Sequence, residues 1–221
     1  MKNLGAAHEN LDHKAYTILK NMIMDRKLLP GEKIHQEKLA QDLGISRTPL
    51  IGALKYLEQE KLVVAQPRRG FFVRLFDKQE MVSIFELREV LEGLAARRAA
   101  VNITETQTKK LGGFFKQFRD TADITDFKAY AREDRLFHSF VTETGSKEFL
   151  KSMLQIYNII SFSYQHISAE GLVQPPNETI HDHMNMIEAI SRRDPDRSED
   201  LMRQHFRKSI EILRENFEEE N

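Results

Sequence analysis

The chain of 221 residues contains no cysteine, which excludes disulfide bonds and thiolate metal sites. No apolar run approaches the roughly 18 residues that a membrane-spanning helix requires. The first residues also lack the hydrophobic segment of a secretory signal peptide. The sequence therefore predicts a cytoplasmic protein with no membrane partner. Apolar residues make up 40% of the chain and include 14 phenylalanines, which is sufficient for a packed core.

The net charge of −1 conceals an uneven distribution of charge along the chain. Residues 1–76 contain 13 Lys and Arg against 8 Asp and Glu, a balance of +5. Residues 77–221 contain 20 against 26, a balance of −6. A basic N-terminal third joined to an acidic remainder is typical of a nucleic-acid-binding module attached to a second domain. Chance clustering of surface charge would give the same numbers, so charge alone does not decide the function.

The segment 43–50 has the pattern of a helix-turn-helix motif. Helical periodicity covers 36–43 and 49–61, and the short turn between these segments contains Gly44. Two helices joined by such a turn are the arrangement that many proteins use to read DNA.

The start of the second helix carries residues suited to a DNA contact. Ser46 is a natural N-cap, and Pro49 fits the first helical turn, where a missing N–H has no cost. Arg47 and Thr48 then lie at the helix N-terminus, where backbone N–H groups and the helix dipole favour a phosphate. Lys38, on the preceding helix, is a further candidate DNA-binding residue.

Two β-rich runs, 62–65 and 71–75, surround a Pro/Gly turn and predict a hairpin. Three helices followed by a hairpin form a winged helix. The predicted hairpin tip carries Arg68, Arg69 and Gly70, as a wing that touches the DNA backbone or minor groove would require.

The remainder of the chain shows helical periodicity throughout, interrupted by glycine, asparagine and proline. Asp77 with Glu80 and Thr104 with Gln107 have capping-box spacing. Helices are predicted over 78–100, 105–121, 126–144, 147–168, 178–192 and 196–218. The predicted fold class is therefore mainly α. A winged helix-turn-helix domain over 1–76 is followed by an all-α bundle of six to seven helices over 77–221.

Four polar residues lie on the apolar seams of three predicted helices: Asp134, His138, His183 and His205. Asp134 and His138 are four residues apart and project from the same helix face. Polar side chains on buried stripes need partners. One carboxylate and three imidazoles that converge in a bundle core suit a borderline divalent cation. Taken singly, each histidine is more often a hydrogen-bonded core residue.

The sequence resembles the GntR family of transcription regulators, in its FadR subgroup, over nearly the whole chain. The N-terminal resemblance rests on LLPGEKIHQEKLAQDLGISRTPLIGALKYLEQEKLVVAQPRRGFFV. The C-terminal resemblance, to the ligand-binding FCD domain, rests on LREVLEGLAARRAA, EDRLFH, HDHMNMIEAISRRD and the later His205. Metal-binding members of the family use this Asp-x3-His, His, His arrangement. The resemblance therefore implies a bound divalent metal ion, with zinc favoured and nickel or manganese as alternatives.

The resemblance also implies a small carboxylate effector in the C-terminal domain. Arg88 is a candidate partner, because a guanidinium binds a carboxylate through two hydrogen bonds, and Glu92, one helical turn further on, is a second candidate effector-binding residue. The alternative is a structural ion pair between Arg88 and Glu92. Tyr157, Asn158 and Ser161 are further candidate effector-binding residues, although their helix face could equally point to solvent.

Two positions depart from the family pattern. The family usually has an arginine in a Val-Arg-Glu-Ala-Leu segment after Arg-Thr-Pro, and this chain has Ile51 there. A second basic position, on the preceding helix, is Glu37. Each lost arginine removes a phosphate or base contact, worth roughly 1–3 kcal/mol for a bidentate base pair. The operator of this protein should therefore not be taken from its relatives.

The predicted function is that of a DNA-binding transcriptional regulator, favoured as a repressor, and not of an enzyme. A homodimer would bind a palindromic double-stranded DNA operator, and a small organic acid at the metal would change operator affinity. One alternative is a DNA-binding dimer whose metal is structural or absent. A second is a metal-dependent phosphohydrolase, suggested by His181-Asp182, but it leaves the basic winged helix unexplained.

Overall fold

The computed structural model describes residues 11–146, 150, 152–154 and 172–218. The helices and strands follow in chain order: α1 Leu11–Met24, α2 Gln36–Asp42, α3 Arg47–Gln59, β1 Val63–Gln66, β2 Gly70–Val73, α4 Lys78–Asn102, α5 Glu105–Leu111, α6 Phe127–Gly145, α7 Pro176–Ser191 and α8 Pro195–Glu218. The mainly helical fold class is confirmed. The chain divides into two compact units, one ending at Leu75 and the other beginning at Phe76.

The N-terminal unit is a winged helix. Helices α1 to α3 enclose a small core that includes Leu19, Leu50, Leu54 and Leu57. Strands β1 and β2 pair antiparallel in the register that places Val63 opposite Val73. The predicted hairpin is therefore present at the predicted place.

The turn of the helix-turn-helix motif depends on Gly44. Its φ of 66° lies in the left-handed region, which glycine adopts without the steric cost of a Cβ. The N–H of Gly44 donates to the carbonyl of Gln41, and the N–H of Ile45 donates to the carbonyl of Ala40. These two bonds close the end of α2 and direct the chain into α3.

Ser46 occupies the N-cap position of α3, but its side chain does not accept the predicted capping hydrogen bond. The backbone there is extended, as an N-cap requires, and Ser46, Arg47 and Thr48 are all exposed. Water can therefore satisfy the first N–H groups of α3. The same groups are accessible to a phosphate.

The C-terminal unit is a helical bundle in which α4 contacts α6, α7 and α8. Both predicted capping boxes are present, at Asp77–Glu80 before α4 and at Thr104–Gln107 before α5. Most of the helix predicted over 147–168 lies outside the described residues. Within the part of the chain that the structure describes, no helix is both long and apolar enough to cross a membrane.

The helix predicted over 105–121 is wrong in length, because α5 ends at Leu111. Gly112 and Gly113 follow directly, and glycine disfavours a continued helix through its loss of backbone freedom. Turns continue to residue 120, and Phe115 adopts a left-handed φ of 59° within them. This irregular backbone places the Phe115 ring in the core, where it is fully buried.

Candidate metal centre and DNA-binding surface

Three histidines converge in the core of the helical unit. His138 lies on α6, His183 on α7 and His205 on α8, and none is more than 6% exposed. One ligand nitrogen from each ring lies within 4.8 Å of those of the other two. Each histidine lies on the buried seam of its helix, so packing of the three seams brings the rings together.

Asp134 lies one helical turn before His138 and contacts two of the rings. Its Oδ1 is 3.1 Å from Nε2 of His183 and 3.8 Å from Nε2 of His138. Burial raises the pKa of this carboxyl, but the neighbouring His138 and His183 outweigh burial and lower it overall. Asp134 is therefore an anion beside the imidazoles.

Two buried ring nitrogens, Nε2 of His183 and Nδ1 of His205, form no hydrogen bond within the described ranges. An unsatisfied buried polar group costs about 1–3 kcal/mol, so such atoms are rare without a ligand. Burial lowers the pKa of both histidines and keeps the rings neutral.

Neutral imidazoles whose nitrogens lie beside carboxylates without forming hydrogen bonds fit a divalent cation. A separation of 3.1 Å between the Asp134 oxygen and the His183 nitrogen suits two ligand atoms that are each about 2.0–2.2 Å from one ion. The four residues predicted from the sequence therefore lie close together in a form that fits a metal.

Arg88 and Glu92 form a buried ion pair behind His138. Nε of Arg88 donates to Oε1 of Glu92 at 2.8 Å, and Oε2 of Glu92 is 2.6 Å from Nδ1 of His138. Burial raises the pKa of Glu92, but Arg88 and His138 outweigh it and lower the pKa. The ion pair is the alternative that the sequence left open, and an effector contact by Arg88 stays a prediction. Tyr157, Asn158 and Ser161 lie outside the described residues.

The hydroxyl of Tyr130 completes the surroundings of His183. It lies 3.0 Å from Nδ1 of that ring and 2.8 Å from Oγ1 of Thr179. Sequence reasoning assigned no role to Tyr130 or Thr179. The available signal was spacing, because Tyr130 is four residues before Asp134 and Thr179 is four residues before His183.

The pair that suggested a phosphohydrolase does not form a site. His181 is exposed, and Asp182 binds Nζ of Lys208 through both oxygens at 2.8 Å. Burial raises the pKa of the Asp182 carboxyl, but His205 and Lys208 outweigh burial and lower the pKa to about 2, so this residue is an anion beside a lysine and a histidine.

The winged helix has a concave surface that encloses an open cavity of about 710 Å³, between α2, the start of α3 and the hairpin turn. Five of the eight predicted DNA-binding residues line it: Lys38, Arg47, Arg68, Arg69 and Gly70. Ser46, Thr48 and Pro49 belong to the adjoining start of α3. Lys33 also lines this surface and was missed by sequence reasoning, although its basic charge just before α2 was a usable signal.

Glu37 lies within this otherwise basic surface and contacts Arg47. Oε1 of Glu37 is 3.5 Å from Nη1 of Arg47, and the two side chains are 85% and 61% exposed. This acidic residue is therefore directed at an arginine of the predicted DNA contact.

A winged helix with a basic concave face, joined to an all-helical domain, defines a DNA-binding regulator with a separate second domain. Residues 11–73 match the bacterial regulatory proteins of the gntR family, and residues 83–208 match the FCD domain. The chain belongs to the GntR family of transcriptional regulators and carries an FCD domain. It is a DNA-binding transcriptional regulator and not an enzyme, as predicted.

Several bacterial relatives are similar over almost their full length. The chain is 26% identical over 215 residues to the uncharacterized regulator YdhC of Bacillus subtilis, covering 92% of this chain and 91% of YdhC. It is 24% identical over 210 residues to the transcriptional repressor RspR of Escherichia coli, covering 93% and 90%. The solved structure of E. coli McbR/YncC shares the fold, with a TM-score of 0.73 at 20% identity and coverage of 94% and 98%.

Proposed function

We propose that the protein is a homodimeric repressor whose affinity for a palindromic operator is set by a small organic acid. The acid binds at a divalent metal ion in the FCD domain. The observation that carries this proposal is the convergence of three buried histidines and Asp134, in which two buried ring nitrogens form no hydrogen bond among the described residues. Two similar proteins, RspR and a probable D-xylose utilization operon repressor of Paenarthrobacter nicotinovorans, are named as repressors.

Asp134, His138, His183 and His205 would hold the ion, with zinc favoured over nickel or manganese. An ion held by four side chains supplies open positions at which an oxygen-rich acid can bind. The ligand residues come from α6, α7 and α8, and Glu92 extends the contacts to α4 through His138. A ligand that is bound better in one packing of these helices shifts the protein toward that packing, and operator affinity changes with it.

The metal half of the proposal is tested by elemental analysis of the purified protein. We expect about one zinc or similar ion per chain, because the three imidazoles and the carboxylate converge on a single position. His183→Gln and His205→Gln should each lose most of the metal. The matched control is His181→Ala, which removes an exposed histidine from the same helix as His183.

The effector half is tested by a thermal-shift screen with succinate, malonate and citrate on the same proteins. Stabilisation should require metal and should be absent in the glutamine variants. Metal content and acid response that both survive in these variants would contradict the proposal. Metal binding with no response to any acid would favour the alternative of a structural ion.

The homodimer is supported by an exposed apolar face of α4. Leu87, Val90 and Val101 follow helical spacing along this face and are 46%, 49% and 60% exposed. A helix face with several exposed apolar side chains is typical of a protein interface. A second copy of the chain would bury the face and would also supply the two-fold symmetry of a palindromic operator.

Val90→Glu is expected to convert the dimer into a monomer, because it would place a charge in an apolar interface. Light scattering after size-exclusion chromatography measures the change. Leu29→Glu makes the same kind of substitution at a 45% exposed leucine of the winged helix and should leave the dimer intact. A dimer that persists in Val90→Glu would place the interface elsewhere.

A further inference from the structure

We infer that Tyr130 and Thr179 are positioning residues that hold His183 in one orientation and one tautomer, with the Nε2 lone pair directed at the candidate metal centre. This inference rests on the proposed metal centre. It assigns a role to two buried hydroxyl groups that lie behind the ligand set and are not themselves ligands.

The two hydroxyls and the ring form a continuous hydrogen-bonded chain inside the bundle. The Tyr130 hydroxyl is 3.0 Å from Nδ1 of His183 and 2.8 Å from Oγ1 of Thr179. Oγ1 of Thr179 is in turn 3.3 Å from the carbonyl oxygen of Pro176. Tyr130 and His183 are fully buried and Thr179 is 4% exposed, so these groups bond to one another rather than to bulk water.

Metal binding through Nε2 fixes the direction of these hydrogen bonds, because it requires the ring proton of His183 to be on Nδ1. Nδ1–H then donates to the Tyr130 oxygen, Tyr130 donates to Thr179, and Thr179 donates to the carbonyl of Pro176, which only accepts. Each donor has a partner in this arrangement, and the lone pair of the ring is on Nε2.

The contacts of Nε2, on the opposite edge of the ring, are consistent with this direction of the hydrogen bonds. Nε2 of His183 is 3.1 Å from Asp134 but forms no hydrogen bond among the described residues. The distance of 3.1 Å would allow a hydrogen bond, so its absence means that Nε2 does not point directly at the Asp134 oxygen. A lone pair placed beside a carboxylate oxygen is instead the arrangement of two atoms that share a cation.

Packing restricts the remaining freedom of the ring. Phe115 stacks on His183 with a centroid separation of 4.6 Å and an interplanar angle of 5°. Phe137 approaches the ring at 5.1 Å. The aromatic residues hold the ring plane, and Tyr130 selects which nitrogen faces inward. His138 has a carboxylate partner, Glu92, in the corresponding position, so each of these two rings has an oxygen atom behind its Nδ1.

Tyr130→Phe tests the inference, because it removes the hydroxyl and retains the ring that packs on Phe115 and Phe118. The probe is Co²⁺, whose visible absorption reports coordination geometry and whose affinity is measured by competition with a chelator. We expect affinity to fall by roughly ten- to a hundredfold, as for other residues that orient metal ligands, with an altered absorption band. Thr179→Val should change both readouts in the same direction by a smaller amount.

Thr142→Val is the matched control. It removes another buried hydroxyl of the same bundle, one that is 3% exposed and has no hydrogen bond among the described residues. Co²⁺ affinity and spectrum should be unchanged in this variant, which separates orientation of His183 from a general loss of polar groups.

The outcomes distinguish this inference from the proposed function. A wild-type protein that binds no Co²⁺ contradicts the metal centre itself. Wild-type binding together with an unchanged affinity and spectrum in Tyr130→Phe overturns the role of Tyr130 alone. Circular dichroism of the metal-free variants establishes folding. If Tyr130→Phe does not fold, an unchanged Co²⁺ affinity in Thr179→Val overturns the inference.

Discussion

Gly145→Ala is expected to destabilise the FCD domain by about 3 kcal/mol, which is a large part of the stability of an ordinary domain. Gly145 ends α6 where this helix meets α4. A Cβ at this position would lie 1.8 Å from the carbonyl oxygen of Ala95 and 2.9 Å from the backbone nitrogen of Ala99. The obstacle is backbone rather than a flexible side chain, so only separation of the two helices can relieve it.

The measurement is thermal unfolding of the metal-free protein, in which the transition of the helical domain should fall by roughly 10 °C. Gly112→Ala is the control. Gly112 has a φ of −62°, and an added Cβ would be 3.5 Å from the nearest carbonyl, an ordinary contact. Alanine is compatible with that backbone and should stabilise slightly, by about 0.4–1 kcal/mol. Equal midpoint temperatures of unfolding in the two variants would show that α4 and α6 do not approach so closely.

Arg47→Ala is expected to weaken operator binding by about ten- to a hundredfold while leaving the dimer intact. Arg47 is exposed at the start of α3 and lines the basic concave surface with Arg68 and Arg69. An operator recovered from a random-sequence pool by the wild-type protein supplies the DNA for gel-retardation assays. Loss of the dimer, measured by light scattering, would instead mean that Arg47 stabilises the fold. Unchanged gel retardation would show that Arg47 does not contact the operator.

Glu37→Gln should have the opposite effect. Glu37 repels phosphates and competes with them for Arg47. Its removal should strengthen binding to a random-sequence duplex by roughly threefold, the size expected from an exposed ion pair. Binding should also become more dependent on salt, because one more cation is available to phosphate. Asp42→Asn makes the same charge change on the same helix but outside the concave surface, and should have a smaller effect. Equal increases in DNA affinity in the two variants would show that Glu37 acts only through the net charge of the domain.

Features that depend on neighbouring residues could be predicted from the sequence. Gly44 between two amphipathic helices predicted the helix-turn-helix turn, and the capping boxes at Asp77 and Thr104 predicted two helix starts. Asp134 and His138 were assigned to one buried helix face from their spacing alone. These inferences succeeded because backbone hydrogen bonding and helical periodicity act over only a few residues.

Local reasoning failed where packing opposed helical periodicity. The apolar pattern after Leu111 continues through Phe114, Phe115 and Phe118, and it predicted a longer helix. The chain instead turns after Gly112, and burial of the Phe115 ring against His183 accompanies a left-handed backbone. The spacing of apolar residues along the sequence carries no information about such a contact between distant residues.

The sequence by itself determined the family, the order of the helices and strands and the residues that face inward at the candidate metal centre, because each depends on local pattern. Tertiary structure alone decided which partner stands behind His138 and which behind His183. Glu92 contacts His138 from 46 residues away, Tyr130 contacts His183 from 53, and Gly145 contacts Ala95 across a helix crossing. The physical reason is that hydrogen bonds and steric contacts depend on distances of a few ångströms between helices. Those distances are set by the packing of the whole bundle.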